Sequence, residues 1–388
     1  MELAARMARL GTETAFEVLA AAKAREAAGH DVIHLEIGEP DFDTPEHIVE
    51  AAVKALRSGA HHYTPATGIR EFREVIAREI TNSRGIPVEP DQVVVTPGGK
   101  PIIFFSLLAL AGDGDEVIYP NPGFPIYESM IRYVGATPVP IPLREELDFR
   151  LDIDQLLDLI TDRTRLIIIN SPNNPTGSVL TNADLESIAD ATVDRNLMIL
   201  SDEIYSRILY EGTHTSIARY PGMQAKTILL DGFSKTYAMT GWRLGYGVMN
   251  QELAQQMGKL MINSNSCTAA FTQLAGIAAL TGDQGPSRRM VETFRKRRDR
   301  VVALLNQVEG VSCRLPQGAF YAFPNVKSFG MHSRKIQDLL LERADLALLS
   351  GGAFGRFGEG YLRFSYAASM QHLEAGIERM AETLGALV

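Results

Sequence analysis

The sequence predicts an α/β fold: a large unit with a mostly parallel sheet flanked by helices, and a smaller α+β unit. Two observations carry this. Short runs rich in Val, Ile and Leu alternate with longer amphipathic stretches, the pattern of βαβ units with both sheet faces covered. The pattern then changes after Thr281-Gly-Asp-Gln-Gly-Pro-Ser287, the clearest break in the chain. A length of 388 residues fits two domains, or one large domain with an appendage.

Taken in order, the expected strands are Gln92–Val95, Glu116–Tyr119, Arg165–Asn170, Leu197–Ser201 and Thr227–Leu230. Helical patterns lie between and after them at Pro101–Ala111, Asn182–Arg195 and Gln251–Asn263. Beyond the break come a charged amphipathic stretch (Ser287–Val308), strand-like Ala319–Pro324, a helix over Arg334–Ala344, strand-like Tyr361–Tyr366 and a last helix. The first 40 or so residues are expected to pack with this smaller unit. The division is therefore 41–284 for the large domain, with 1–40 and 285–388 forming the small one.

Composition excludes several functions. A formal charge of -9 argues against a nucleic-acid or anionic-membrane surface, since both need a basic face. The only cysteines are Cys267 and Cys313, with no CxxC pair, so neither a disulfide framework nor a thiolate metal site is expected. The N-terminus does not read as a signal peptide, and no apolar run approaches the ~20 residues of a membrane span. A cytoplasmic location is the expectation.

Four segments carry chemistry. Gly98-Gly99-Lys100-Pro101 follows a strand and opens an apolar helix; open N–H groups at a helix start attract phosphate, although a plain strand–turn–helix connection reads the same way. The run Asn170-Ser-Pro-Asn-Asn-Pro-Thr-Gly177 is first a turn signal, but it stands beyond a strand's carboxyl end, where ligands bind in parallel sheets. Asp202 follows another strand, with Tyr205 three residues on. It reads either as a helix cap or as a carboxylate that keeps a cofactor ring nitrogen protonated. The fourth segment is Asp231-Gly-Phe-Ser-Lys235-Thr-Tyr-Ala-Met-Thr-Gly-Trp-Arg243. Lys235 sits among small and aromatic residues, as a desolvated nucleophilic amine would, and Arg243 offers a guanidinium fork for phosphate.

Together these segments resemble the fold-type I aminotransferases of the aspartate aminotransferase family, class I/II, from Leu35-Glu-Ile-Gly38-Glu-Pro through Tyr361-Leu-Arg363-Phe-Ser365. The resemblance implies a seven-stranded, mostly parallel sheet and pyridoxal 5'-phosphate as cofactor. It implies Lys235 as the Schiff-base lysine and proton shuttle, Asp202 as partner of the pyridine nitrogen, and Tyr205 and Asn174 on the phenolic oxygen. Phe124 would stack on the ring, while Gly99, Lys100 and Arg243 would form the phosphate cup. Tyr63 would reach the phosphate of a partner subunit in a homodimer with shared sites. Arg363 would bind the substrate α-carboxylate beside Gly38 and Asn174. One departure is Gly232, where many relatives carry a phosphate-binding serine; Ser234 is the nearest hydroxyl.

The implied reaction is transamination between an L-amino acid and a 2-oxo acid, with glutamate/2-oxoglutarate as one pair and aspartate as first guess for the other. Alanine or an aromatic amino acid is the runner-up, since Phe16, Phe124 and Tyr63 offer apolar surface. A β-lyase, oxidase or decarboxylase would share Lys235 and Asp202. No metal site is expected: His61-His62 and His30/His34 lack a ligand pattern, Asp113-Gly-Asp115 lacks the rest of a calcium loop, and no GxSxG elbow is present. A DNA-binding regulator built on such a domain would need a further module.

Overall fold

The computed structural model describes residues 3–387. Its strands are Ile33–His34 (β1), Val93–Thr96 (β2), Glu116–Asn121 (β3), Thr137–Pro142 (β4), Thr164–Asn170 (β5), Met198–Asp202 (β6), Thr227–Gly232 (β7), Gly245–Val248 (β8), Tyr321–Ala322 (β9), Leu346–Ala347 (β10), Leu349–Ser350 (β11) and Leu362–Ser365 (β12).

Seven of them form one sheet in the order β2-β8-β7-β6-β5-β3-β4. Only β8 runs against its neighbours β2 and β7; the pairs β3–β4, β3–β5, β5–β6 and β6–β7 are parallel. Residues alternate between two cores. Val94, Val117, Leu166, Ile168, Leu200 and Ile228 pack on one face, and Ile118, Ile167, Ile169 and Ile199 on the other. Burial on both faces is why these strands read as unbroken apolar runs.

The expected strands of the large unit all form, within one or two residues of the expected ends. Two strands of the large sheet were not anticipated, nor were the two-residue strands β1, β10 and β11. β4 reads Thr-Pro-Val-Pro-Ile-Pro, and proline cannot donate to a ladder; the strand is tolerated because it lies at the sheet edge. β8 reads Gly-Tyr-Gly-Val, too rich in glycine to look like a strand.

Beyond the large sheet, β11-β12-β9 form a three-stranded antiparallel sheet, and β1 pairs in parallel with β10. The helix Gly285–Leu305 and the last helix, Met370–Gly385, cover a core containing Phe294, Val301, Phe320, Leu362, Phe364 and Ile377. From the first helix, Thr14–Ala27, Val18 and Ala22 pack with Leu341, Ala347, Leu349 and Phe354. No helix among the described residues is long and apolar enough to cross a membrane.

Candidate active site

Parallel strands deliver their last residues to one edge of the sheet, and polar side chains there face outward from a rigid frame. β5 ends at Asn170, β6 at Asp202, and β7 at Gly232, three residues before Lys235. Asn170 ties the first two ends together: its Nδ2 donates to the Asp202 carbonyl at 3.0 Å, and its Oδ1 accepts from Asn174 N at 2.9 Å.

Asp202 is buried and accepts from Tyr127 Oη at 2.6 Å and from Ile204 N at 3.2 Å. Burial pushes its carboxyl up to about 6, the Tyr127 bond and the Ile204 amide work against that, and the neighbouring charges of Asp231 and Glu203 add to the rise. Tyr127 sits in the first turn of the helix Ile126–Val134. Phe124, just ahead of that helix, meets Tyr127 edge-on with ring centroids 5.8 Å apart.

Lys235 is half-buried, and its Nζ donates to the Gly38 carbonyl. The amine lies 6.0 Å from the Tyr205 ring and 5.8 Å from that of Phe320. Burial, and then the positive charge of Arg363, pull its pKa down to about 8. An amine in that range is free in appreciable fraction near neutrality, as a nucleophile or proton carrier requires.

Arg363, on β12, is also buried. Its Nη1 donates to Asn174 Oδ1 at 3.2 Å and its Nη2 to the Glu36 carbonyl, while its buried Nε has no hydrogen-bond partner. The guanidinium lies 4.5 Å from the Tyr321 ring and 4.9 Å from that of Phe354. Tyr321 Oη in turn lies 2.8 Å from Tyr205 Oη.

At the amino end of the helix Lys100–Leu110, Gly98 holds a left-handed φ of +85°, which glycine adopts without penalty. The Arg243 side chain lies against this turn, with Nη1 donating to the Thr240 carbonyl at 2.7 Å and Nη2 to that of Pro97 at 3.4 Å. A Cβ on Gly245 would stand 2.6 Å from the Gly98 carbonyl carbon. Across the ladder from Gly245 is Gly232; a Cβ there would meet the Gly245 Cα at 3.1 Å. A side chain at Gly232 would thus press on the backbone of β8.

The fold gathers Gly38, Asn174, Tyr205, Lys235 and Arg363 into one cluster, with Phe124 and Asp202 joined through Tyr127. Other residues singled out in the sequence behave differently. Lys100 turns its amine to Glu13 rather than to the glycine turn, 5.5 Å from the Phe124 ring. Tyr63 and Phe16 are surface residues, 88% and 61% exposed, so within one chain they line no apolar pocket. His30 and His34 pair with the carboxylates of Asp345, Glu26 and Glu36.

Tyr127, Tyr321 and Phe354 went unnoticed in the sequence. Tyr127 had a faint local mark, three residues after Phe124 at a helix start. Tyr321 and Phe354 are remote in sequence from what they touch and carried none.

The donor set suits pyridoxal phosphate: a buried acid, an aromatic face, a depressed lysine and a helix start with a guanidinium beside it. It also leaves an unused N–H on a buried arginine, as an incoming carboxylate needs.

The family model for aminotransferase class I and II matches residues 30–382. An aspartate aminotransferase of Pyrococcus abyssi is 42% identical over 365 residues, covering 92% of this chain and 93% of the relative. The aromatic-amino-acid aminotransferase 2 of Thermococcus litoralis is 42% identical over 357 residues, covering 91% and 92%. Among solved structures, the aspartate aminotransferase from Thermus thermophilus with maleate superposes with a TM-score of 0.94 at 35% identity, covering 99% of this chain and 100% of that one. The aromatic aminotransferase from Pyrococcus horikoshii OT3 does so at 0.90 and 42%, covering 95% and 100%.

Proposed function

The chain belongs to the class I and II aminotransferases and is a pyridoxal phosphate-dependent enzyme, and from that premise we propose which residues do the work. It transfers an amino group between an amino acid and a 2-oxo acid. When bound, the cofactor supplies an aldehyde that takes up the amine and a ring that accepts the electrons released at Cα. Lys235 would anchor it covalently, and its free amine would carry the proton taken from the substrate Cα. Asp202, backed by Tyr127, holds the ring nitrogen in its protonated form. Phe124 covers the ring face, Asn174 and Tyr205 hold the phenolic oxygen, and the 99–100 helix start with Arg243 takes the phosphate. Arg363, with Asn174 and Gly38 beside it, receives the α-carboxylate and so aims Cα at Lys235.

The observation that carries this reading is the pairing of a depressed lysine amine with a buried guanidinium that still has an N–H to give. Tyr63 supports a homodimer in which it reaches the neighbour's phosphate, since a tyrosine 88% exposed is free to meet a second chain. We propose a cytoplasmic location and a role in amino-acid biosynthesis. The division into domains 41–284 and 1–40 with 285–388 is supported by the sheets, since the large one lies within 93–248.

Glutamate/2-oxoglutarate is the proposed first pair and aspartate the proposed second donor, in keeping with the aspartate aminotransferases among the relatives. An aromatic donor is the second reading, favoured by Phe124, Tyr321 and Phe354 around the cluster and by the Thermococcus relative. A half-reaction screen decides, following loss of the cofactor's visible band as each amino acid is added without acceptor. Glutamate and aspartate should discharge the band fastest. A faster discharge by phenylalanine or tyrosine with no response to aspartate replaces the first reading by the second.

A further inference from the structure

Beneath the strand ends lies a group of buried charges that the chemistry above does not use. Arg84 closes the helix Arg70–Arg84 and is buried. Its Nε donates to Glu203 Oε2 at 2.7 Å, and its Nη2 donates to Asp231 Oδ2 and Ser206 Oγ, both at 2.8 Å. Glu203 also accepts from Ser201 Oγ at 3.1 Å and from Ser216, and His214 Nε2 stands 2.9 Å from its Oε2. Asp231 accepts from Gly232 N at 2.7 Å and from Ser206 Oγ at 3.2 Å.

Burying three ions is costly, and apolar replacements of such clusters are often neutral or stabilising. Stability is thus a weak reason for this one to be here. Its placement gives a better reason. Glu203 immediately follows Asp202, and Asp231 is the next-to-last residue of β7, four residues before Lys235. A planar guanidinium bridging both carboxylates fixes their separation in a way a point charge cannot.

We propose that Arg84 is a positioning residue: by bridging Glu203 and Asp231 it sets the spacing between Asp202, at the end of β6, and Lys235, after β7. Reaction rates respond steeply to such spacing. A misplacement of about 1 Å costs about 100-fold. The inference rests on the roles proposed above for Asp202 and Lys235. Locating the cofactor on Lys235 tests those roles separately, so an unimpaired Arg84 variant in a protein that does carry its cofactor there overturns this inference alone.

Two variants serve as the test. Arg84→Lys keeps the charge but loses the bridge. The triple variant Arg84→Met/Glu203→Gln/Asp231→Asn removes all three charges together and keeps the protein assessable if Arg84→Lys fails to fold. Single-turnover conversion of bound cofactor by saturating glutamate should slow about 10- to 100-fold in both. The substrate dissociation constant should stay near wild type, and the cofactor band should shift, in protein that is folded and cofactor-loaded. Wild-type rates and spectra in either folded variant overturn the proposal. So does a loss of rate that only tracks the fraction of unfolded or cofactor-free protein.

Discussion

The pKa of Lys235 is depressed by several causes, of which the two largest can be separated. Burial contributes first, and the positive charge of Arg363 second. A lysine whose folded pKa lies near 8 instead of 10.5 reacts with amine-modifying reagents at correspondingly lower pH. Acetylation of Lys235 in cofactor-free protein, followed peptide by peptide, should therefore rise with a midpoint of about 8. Arg363→Met removes the nearby positive charge and should move the midpoint upward; an unmoved midpoint removes Arg363 from the account of that amine. Arg363→Lys keeps the charge but loses the fork. Charge-assisted hydrogen bonds contribute about 1.5–3 kcal/mol, so kcat/KM for glutamate should fall by roughly one to two powers of ten, with decarboxylated amines affected far less. Asp202→Asn retains shape and one hydrogen bond from Tyr127 but loses the charge proposed to keep the ring nitrogen protonated. It should slow Cα deprotonation about 10²–10³-fold, the usual cost of removing one electrostatic stabiliser. A full-rate Asp202→Asn enzyme would falsify that role.

At the level of elements, the turn Gly98-Gly99 and the strand β8 are packed backbone to backbone. A methyl group on Gly245 has nowhere to go, 2.6 Å from the Gly98 carbonyl carbon. Gly245→Ala should cost about 1–3 kcal/mol, as overpacking does, read as a lower urea midpoint. It should also weaken cofactor retention by displacing the turn against which Arg243 lies; normal retention with unchanged stability contradicts this description. The same packing explains what the sequence concealed. β5, β6 and β7 were legible because double-sided burial makes their central residues a run of Ile and Leu. β8 was not, because close approach demanded glycines, and β4 was not, because an edge position let prolines in. Local spacing marked out Lys235, Asp202 and Arg243 as candidates. Arg84 reaches Glu203 across 119 residues and Asp231 across 147, contacts that no local pattern announces.

For the whole molecule, the family resemblance pointed to the sheet, the lysine loop, Tyr205 and Arg363 together, while Tyr127 and Tyr321 came only from the fold. Tyr63 belongs to this scale: if its role lies in a second copy, Tyr63→Ala should weaken cofactor binding in a protein that remains a dimer by light scattering. A fully active monomer would remove the shared-site arrangement. The central claim is that the cofactor is carried by Lys235. It is tested most directly by reducing the holoenzyme with borohydride, which makes the lysine–cofactor linkage permanent, and mapping the modified peptide by mass spectrometry. The added group should appear on Lys235 alone, with none bound after the same treatment of Lys235→Ala. Modification of Lys100, or of any other lysine, in the wild-type protein would contradict it.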